Sequence, residues 1–443
     1  TAELHNMNEY RRGGDSLNLP PHQAQIAEEL KHEIHGGSLA YNWLSPDNKN
    51  RLNAYASLQN VNRNSYYGSG RNLNAYGHTT NLTTVVGGQY VRSFDKMWFL
   101  PADLTAGGEY QYDDLKDEMP GYRRNTKQKT EVLGVFLQNE WKGNHGSLLL
   151  GGRMDKHSLL KAPVFSPRIN LKYNITDDIH WRSSLSSGFR APQTFDEDLH
   201  ISAVGGEVRL IQLAENLRPE RSNSVSTSFD FYYTTEDIQS NLLIEGFYTQ
   251  INDVFVVGDI GKDVDGNIIA ERRNGSGAKV MGINLEGKIV PLSILQLQFG
   301  YTIQQSRYLA AETWSEDATV APEINMLRTP DQYGYFTLSC SPSKKLTLNA
   351  TGTYTGSMLV PHFAGYVDQD RLDTTPDFFD MGMKAAYNFS LAKTLNLELS
   401  GGVKNIFNSY QKDFDSGLNR DAGYIYGPSQ PRTFYLSVKI GNL

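Results

Sequence analysis

The sequence predicts an all-β protein whose strands form a transmembrane antiparallel β-barrel. Three observations lead to this fold class. Strand-length segments alternate apolar with polar residues, short polar turns alternate with long irregular segments, and no apolar run reaches the roughly 18 residues of a spanning helix. A mean hydropathy of −0.48 agrees with such a barrel, because polar residues facing the lumen offset apolar residues facing lipid.

Four segments show the period of two that is typical of a strand with two different faces. In one of them, Leu295, Leu297 and Phe299 alternate with Gln296 and Gln298. Each run is about nine to eleven residues long, which is enough to cross a bilayer at the tilt of a barrel strand. Strands of soluble sandwiches are most often about five or six residues long, so the length favours a membrane barrel. The four segments are 225–233, 295–304, 346–355 and 395–404.

Turns and loops alternate along the chain as they do in outer-membrane barrels, which place short turns at one end and long extracellular loops at the other. This spacing predicts about 18 strands. Unpaired backbone groups are costly in lipid, so the strands are expected to pair into a closed barrel. Short turns are predicted near 45–48, 142–144, 174–177, 235–237, 291–293, 341–343 and 392–394. Long loops are predicted near 65–78, 113–126, 189–220, 256–275, 305–330, 356–376 and 407–430.

One segment has the spacing of a different element. Ile26, Leu30 and Ile34 recur at helical intervals within 23–34. Its place in the order of strands and turns nevertheless predicts a strand.

Bulk composition narrows the class of protein further. A barrel can place all 443 residues in one domain, because its length goes into strands and loops rather than a thicker core. The 25 tyrosines and 40 glycines suit strands, interfacial girdles and tight turns. A net charge of −7 without a basic tract excludes nucleic acid as a partner, and the single Cys340 excludes an intrachain disulfide.

Three sequence blocks resemble the signatures of TonB-dependent outer-membrane receptors. The first is Gly-Phe-Arg-Ala-Pro at 188–192, followed by Glu-Asn-Leu-Arg-Pro-Glu at 215–220. The second, Gly-Val-Lys-Asn-Ile-Phe-Asn at 402–408, is similar to the penultimate strand of these receptors. The third, from Tyr426 to Leu436, is similar to their closing loop and last strand. The first block departs from the family pattern in its second half, where an Asn-Pro-Asn-Leu-like element is replaced by Ala-Glu-Asn-Leu at 214–217.

The resemblance implies a longer receptor with a TonB-contacting segment, a globular plug and 22 strands. Residues 1–443 are therefore expected to be a single barrel domain, the C-terminal portion of such a receptor, with about 18 of the 22 strands. The plug and the TonB-contact segment are expected outside this chain. The implied location is the outer membrane of a Gram-negative bacterium, where membrane lipid surrounds the barrel.

The resemblance also implies a function and partners. We expect active uptake of a large, scarce nutrient, either an iron-siderophore chelate, haem or a corrinoid such as cobalamin. The TonB–ExbB–ExbD complex would supply energy through the missing N-terminal part, and a surface lipoprotein partner is left open. A passive porin, a surface ligand-binding barrel and a barrel enzyme are the alternatives. Nucleophile elbows, zinc-protease motifs and phosphate-binding loops are not found in a credible context, so we predict no enzyme, no cofactor and no bound metal.

Several residues of the predicted extracellular loops are candidates for ligand binding. Arg190 leads into the longest loop, where His200 has two interpretations, a solvated side chain or an axial haem ligand. The acids before His200 do not have the spacing of a twelve-residue calcium loop. Aromatic candidates fit either an interfacial girdle or the wall of a concave site. The full set is Arg63, Tyr66, Tyr67, Tyr76, Arg190, Asp198, His200, Tyr410, Phe414 and Tyr424.

Overall fold

The computed structural model describes residues 1–392 and 395–442, which are mostly β-strand. The strands are β1 (Ala2–Gly14), β2 (Ile26–Leu44), β3 (Asn50–Ser69), β4 (Tyr76–Met97), β5 (Leu100–Met119), β6 (Arg124–Gly143), β7 (Gly146–His157), β8 (Val164–Asn174), β9 (Ile179–Arg190), β10 (Ser202–Val204), β11 (Glu207–Leu213), β12 (Glu220–Thr234), β13 (Gln239–Asn252), β14 (Phe255–Lys262), β15 (Ile268–Asn274), β16 (Ala278–Leu292), β17 (Leu295–Glu312), β18 (Glu323–Asn325), β19 (Gln332–Cys340), β20 (Leu346–Thr355), β21 (Leu359–His362), β22 (Arg371–Thr374), β23 (Phe378–Ala392), β24 (Leu395–Lys404) and β25 (Thr433–Asn442).

Among the residues that the structure describes, helical structure is limited to short turns. They are the 3₁₀ turns Pro21–Gln23 and Pro120–Tyr122 and the single α-helical turn α1 (Asp196–Leu199). Within the described ranges, no helix has the length and apolar character needed to span a membrane.

The long strands form one antiparallel sheet in which each pairs with its neighbours in the chain. The sheet has 19 strands, of which β18 is a three-residue addition to β17, so 18 long strands remain, as predicted. They are β1–β9, β12, β13, β16, β17, β19, β20 and β23–β25. The antiparallel all-β prediction is confirmed, but closure by these 18 strands is not seen: across 1–392 and 395–442, no ladder joins β1 to β25.

The connections separate into two kinds at the two ends of the strands. The turn end has connections from two residues, at 98–99, to five residues, at 45–49. The loop end has long connections, including 191–219, 253–277, 313–331, 356–377 and 405–432. Most of the predicted turn at 392–394 lies outside the described residues.

The two faces of the strands differ in chemistry, as the alternation predicted. In β12, Val225 and Phe229 are exposed on the outer face, whereas Ser228 and Asp230 are buried on the inner face. Ser224 and Ser226 on the same inner face hydrogen-bond to hydroxyls of the adjacent strands. The lumen is therefore polar and the outer surface apolar, which is the arrangement a membrane barrel requires.

Five adjacent strands are much longer than a membrane crossing needs. Strands β2–β6 have 19 to 22 residues each, or about 65 Å at roughly 3.3 Å per residue. Two predicted long loops, at 65–78 and 113–126, are therefore largely strand. The sequence pattern did not indicate these strand ends, because their polar upper parts carry no apolar alternation. The segment with helical spacing is a strand from Ile26 onward, as predicted.

Candidate ligand-capture site

Four long loops, 191–219, 253–277, 356–377 and 405–432, build a folded cap at the loop end. Strands β10 and β11 of the loop 191–219 form a four-stranded sheet with β14 and β15 of the loop 253–277, in the order β10–β11–β15–β14. The two loops meet through a parallel pairing of β11 with β15. A second small sheet, β21 with β22, belongs to the loop 356–377. Segments predicted to be irregular therefore contain ordered strands, because their pairing is between loops and leaves no local turn signal.

The cap is packed against the wall formed by β2 and β3. Tyr67 of the wall packs in one apolar cluster with Ile201, Val208 and Leu210 of the loop 191–219. The hydroxyl of Ser69 donates a hydrogen bond to the carbonyl of Gly206 at 2.9 Å. Since the loop starts from β9 and reaches β2 and β3, it crosses the mouth of the barrel.

The cap loops also meet through glycine. Gly205 and Gly365 have positive φ values of 59° and 139°. A Cβ atom at Gly365 would collide with the backbone of Gly205 and lie 2.6 Å from the carbonyl oxygen of Asn419. Three loops therefore approach one another at a point where a side chain has no room.

An acidic turn at Asp196, Glu197 and Asp198 is held by arginines from separate strands. Asp198 is 2% exposed and Arg272 of β15 is 6% exposed at their side chains. Arg272 Nε donates to Asp198 Oδ1 at 2.9 Å, while Asp198 Oδ2 accepts the amide of Phe195 at 2.8 Å. Asp198 therefore caps its own turn and binds the neighbouring loop.

Arg63 of β3 holds the first acid of the turn. Its Nη1 lies 3.0 Å from Asp196 Oδ1, and its Nε donates to Thr79 Oγ1 at 3.1 Å. Asp117, fully buried, accepts a 2.6 Å hydrogen bond from Thr79 and lies 3.8 Å from Arg63 and 3.9 Å from Arg124. The inner wall thus places a carboxylate between two buried guanidinium groups.

Arg190, the residue of the first family block, holds the second acid. Its Nη2 donates to Glu197 Oε1 at 2.8 Å, and its guanidinium lies 3.6 Å from the ring centre of Phe195 and 5.7 Å from that of Phe255. Stacking on an aromatic face and pairing with a carboxylate are both suited to the planar guanidinium. Arg190 therefore fixes the start of the loop.

The predicted tyrosines of this wall lie in strands rather than in a loop, which corrects their predicted location. Tyr66 and Tyr67 belong to β3 and Tyr76 begins β4; Arg63 is likewise in β3. Tyr66 and Tyr76 rings meet edge to face at 4.9 Å, and Tyr67 meets His200 at 5.1 Å. Arg63 and Tyr67 share the face of β3 that meets the cap, whereas Tyr66, one residue before Tyr67, points to the other face, where its ring meets Tyr76.

His200 occupies the rim of a small cavity. Its side chain is 48% exposed, and its Nε2 lies 3.7 Å from Glu28 Oε2. The cavity has a volume of about 190 Å³ and is also lined by Tyr67 and Arg420. Burial lowers the pKa of Arg420 despite nearby acids.

The remaining predicted residues lie on a second part of the cap, formed by the loops 356–377 and 405–432. Tyr424 is buried and stacks on His362 with ring centres 3.7 Å apart, whereas Phe414 is 49% exposed. Tyr410 lines a surface depression with Tyr426. Burial, together with a hydrogen bond to Asp413, raises the pKa of Tyr426 to about 12.

His362 joins these two loops through both ring nitrogens. Its Nδ1 lies 2.9 Å from Asp373 Oδ2, and its Nε2 lies 3.0 Å from Asp415 Oδ2. Asp415 in turn accepts the amide of Asp421 at 2.9 Å. This contact could not be predicted from the sequence, because Asp415 comes from a different loop, 53 residues from His362.

The last loop is anchored by the second family block. Asn405 is 1% exposed and has φ of 47°. Its amide nitrogen donates to the carbonyls of Ser409 and Gln430, and its amide oxygen accepts from the Ser409 amide at 2.8 Å. Asparagine suits this position because it tolerates left-handed backbone and supplies both donor and acceptor.

The predicted site residues thus separate into groups. Arg63, Arg190 and Asp198 meet at the acidic turn, Tyr66, Tyr67, Tyr76 and His200 line the adjoining wall, and Tyr410, Phe414 and Tyr424 belong to the second part of the cap. Sequence reasoning missed Asp117, Arg124, Arg272 and His362. In the described part of the chain, no group of three or more His, Cys, Asp or Glu residues is placed to hold a metal ion.

The sequence of residues 6–406 matches the family described as "TonB dependent receptor-like, beta-barrel". The chain belongs to the TonB-dependent receptor family. The resemblance seen in the three sequence blocks is confirmed, as is the barrel fold. Membership places this TonB-dependent receptor barrel in the outer membrane of a Gram-negative bacterium, and the family is one of receptors rather than enzymes.

Solved structures support the same fold. The siderophore receptor PirA from Acinetobacter baumannii is 15% identical, with a TM-score of 0.66 over 94% of this chain and 63% of that one. A ferric enterobactin receptor (PfeA) mutant from Pseudomonas aeruginosa, in complex with enterobactin, is 17% identical. Its TM-score is 0.69, over 94% of this chain and 63% of the PfeA chain. The outer membrane transporter YddB from Escherichia coli is 12% identical, with a TM-score of 0.70 over 100% and 66%.

The barrel spans less than two thirds of the length of PirA and PfeA. No curated protein matches its sequence.

Proposed function

We propose that the chain forms the membrane wall and the capture surface of a receptor that takes up a ferric siderophore. The observation that carries this proposal is the folded cap, which brings arginine and tyrosine side chains together above a polar lumen. Guanidinium groups pair with the carboxylate or catecholate oxygens of iron chelates, and aromatic rings contact their planar parts. The names of PirA and PfeA support the same class of ligand.

Uptake is proposed to require TonB. A ligand bound tightly enough to be captured at low concentration leaves slowly, so release into the periplasm needs work from the inner membrane. In this proposal, the TonB–ExbB–ExbD complex acts through a plug that is not among residues 1–443, and these residues form one barrel domain.

The test is a binding measurement on the full-length receptor. Ferric siderophores of the catecholate and hydroxamate classes, haem and cobalamin would each be titrated against purified protein by intrinsic fluorescence. We expect submicromolar binding of a ferric siderophore and none of haem or cobalamin. Binding of haem or cobalamin alone would contradict the proposed ligand class. Ion conductance without binding of any of these compounds would favour the passive porin instead.

A further inference from the structure

Four arginines from four different strands converge on one acidic turn of the chain itself. Arg63 comes from β3, Arg124 from β6, Arg190 from β9 and Arg272 from β15. The turn offers them consecutive carboxylates at 196–198 and, through a hydrogen bond from Arg124, the carbonyl of residue 198. A cluster of four guanidinium groups would be strongly cationic without these acids and the nearby Asp117.

Exposure differs sharply between the two partners. The side chains of Asp196 and Glu197 are 87% and 58% exposed, whereas those of Arg63 and Arg272 are 7% and 6% exposed. The two carboxylates thus lie toward solvent and the guanidinium groups of Arg63 and Arg272 lie beneath them, whereas Arg190 is 40% exposed. A turn in this position covers the arginines while remaining accessible to displacement.

The arginines are not fully satisfied by the turn. Within residues 1–392 and 395–442, Arg63 Nη2 and Arg124 Nη1 are buried donors without a hydrogen-bond partner, and Asp117 Oδ2 between the two arginines is a buried acceptor without one. Arg63 and Arg124 are each about nine-tenths buried at the side chain. Buried polar groups in native proteins are nearly always paired, so two unpaired donors against one unpaired acceptor leave the cluster with an excess donor for a ligand oxygen.

Space for a ligand lies next to the turn. A cavity of about 420 Å³ separates Asp196 and Leu199 from the inner face of β4–β6, and Arg190 and His157 contribute to its lining. Displacement of the turn would join this cavity to the four guanidinium groups.

We infer that the arginine cluster is a polyanion site and that the acidic turn 196–198 is an internal competitor occupying it. An anionic iron chelate would exchange its oxygens for those of Asp196 and Glu197, which would release the turn and loosen the loop 191–219. The ligand class rests on the proposed function. When an internal group occupies the site in most molecules, only the unoccupied fraction can bind the ligand. The apparent affinity is then the intrinsic affinity multiplied by that fraction.

The test removes the charge of the two exposed acids in the full-length receptor. The Asp196→Asn/Glu197→Gln variant is titrated with a trianionic ferric tris-catecholate and with a neutral ferric trihydroxamate. We expect the affinity for the tris-catecholate to rise about tenfold and that for the trihydroxamate to stay unchanged. The matched control is Glu236→Gln/Asp237→Asn, which removes the same charge from an exposed turn at the opposite end.

A second measurement separates this inference from the proposed function. Hydrogen exchange of residues 191–204 is followed in the wild-type receptor with citrate as a simple polyanion, and in the double variant without ligand. Faster exchange in both cases supports the internal competitor, even if no siderophore binds. Unchanged exchange together with unchanged or weaker tris-catecholate binding in the variant would overturn it, whether or not the receptor transports iron.

Discussion

Arg272 and Asp198 form a buried ion pair that joins two loops of the cap, with Arg272 Nε 2.9 Å from Asp198 Oδ1. One partner lies in β15 and the other in the turn after β9, so the pair connects segments 74 residues apart. Asp198 also accepts the amide of Phe195. The pair therefore determines both the local shape of the turn and its attachment to the neighbouring loop.

Removing one partner of this pair is expected to detach the loop. Arg272→Met leaves the Asp198 carboxylate buried without its cation, which typically costs about 3–5 kcal/mol. Hydrogen exchange of residues 195–213 should become much faster while exchange in β3–β6 stays unchanged. The double variant Arg272→Met/Asp198→Leu removes both charges and should recover much of the protection. Equal protection in Arg272→Met and wild type would show that the pair does not hold the loop.

The contact of glycine backbones in the cap should not tolerate a side chain. Gly365→Ala combines a positive φ with a collision against Gly205, so we expect the loops around 205, 365 and 419 to separate. Gly417→Ala is the matched control, because Gly417 also has a positive φ, of 78°, but no neighbour within 4 Å of the added Cβ. Gly417→Ala should lower the free energy of unfolding by only about 1–2 kcal/mol, through backbone strain alone. Similar hydrogen exchange at 203–206 in both variants would contradict the predicted collision.

The β21–β22 hairpin of the loop 356–377 should loosen in acid, because Asp373 of β22 bonds His362 of β21. Burial alone would raise the pKa of Asp373, but hydrogen bonds from His362 and Arg371 outweigh it and hold the pKa below its ordinary value of 3.8. A lowered carboxyl pKa stabilises the folded loop above the ordinary value, and this stabilisation is lost as pH falls through the folded pKa. Proteolysis of residues 356–377 should therefore accelerate as the pH falls below about 4. Asp373→Asn should remove this pH step, and a step of equal size in that variant would assign it to another group.

His200 is expected not to ligate haem iron. Its imidazole is half exposed, faces Glu28 at 3.7 Å and packs on Tyr67, and among the described residues no other histidine lines the same cavity. Haem should bind neither the wild-type receptor nor His200→Ala, and the affinity of this variant for a ferric siderophore should change by less than about twofold, whereas a haem site would depend on its axial ligand. Absorbance titration in the Soret region provides the measurement for haem. A loss of haem binding in this variant alone would restore the ligation hypothesis.

Local sequence patterns predicted the barrel strands well, because strand alternation and turn length are properties of short, contiguous segments. The runs at 346–355 and 395–404 coincide with β20 and β24. The upper parts of β3 to β6 were harder to predict, since a strand above the membrane is polar on both faces. Arg124, Arg272 and His362 could not be identified from the sequence, because their partners come from separate loops that meet only in the folded cap.

Energised uptake by living cells tests the central claim most directly. The gene for the full-length receptor would be expressed in Gram-negative cells lacking their own siderophore receptors, with and without functional TonB, and supplied with a radiolabelled ferric siderophore. We predict that iron accumulates only when both the receptor and TonB are present, and that surface binding persists without TonB. Equal accumulation with and without TonB, or none with any siderophore that the receptor binds, would contradict the proposed function.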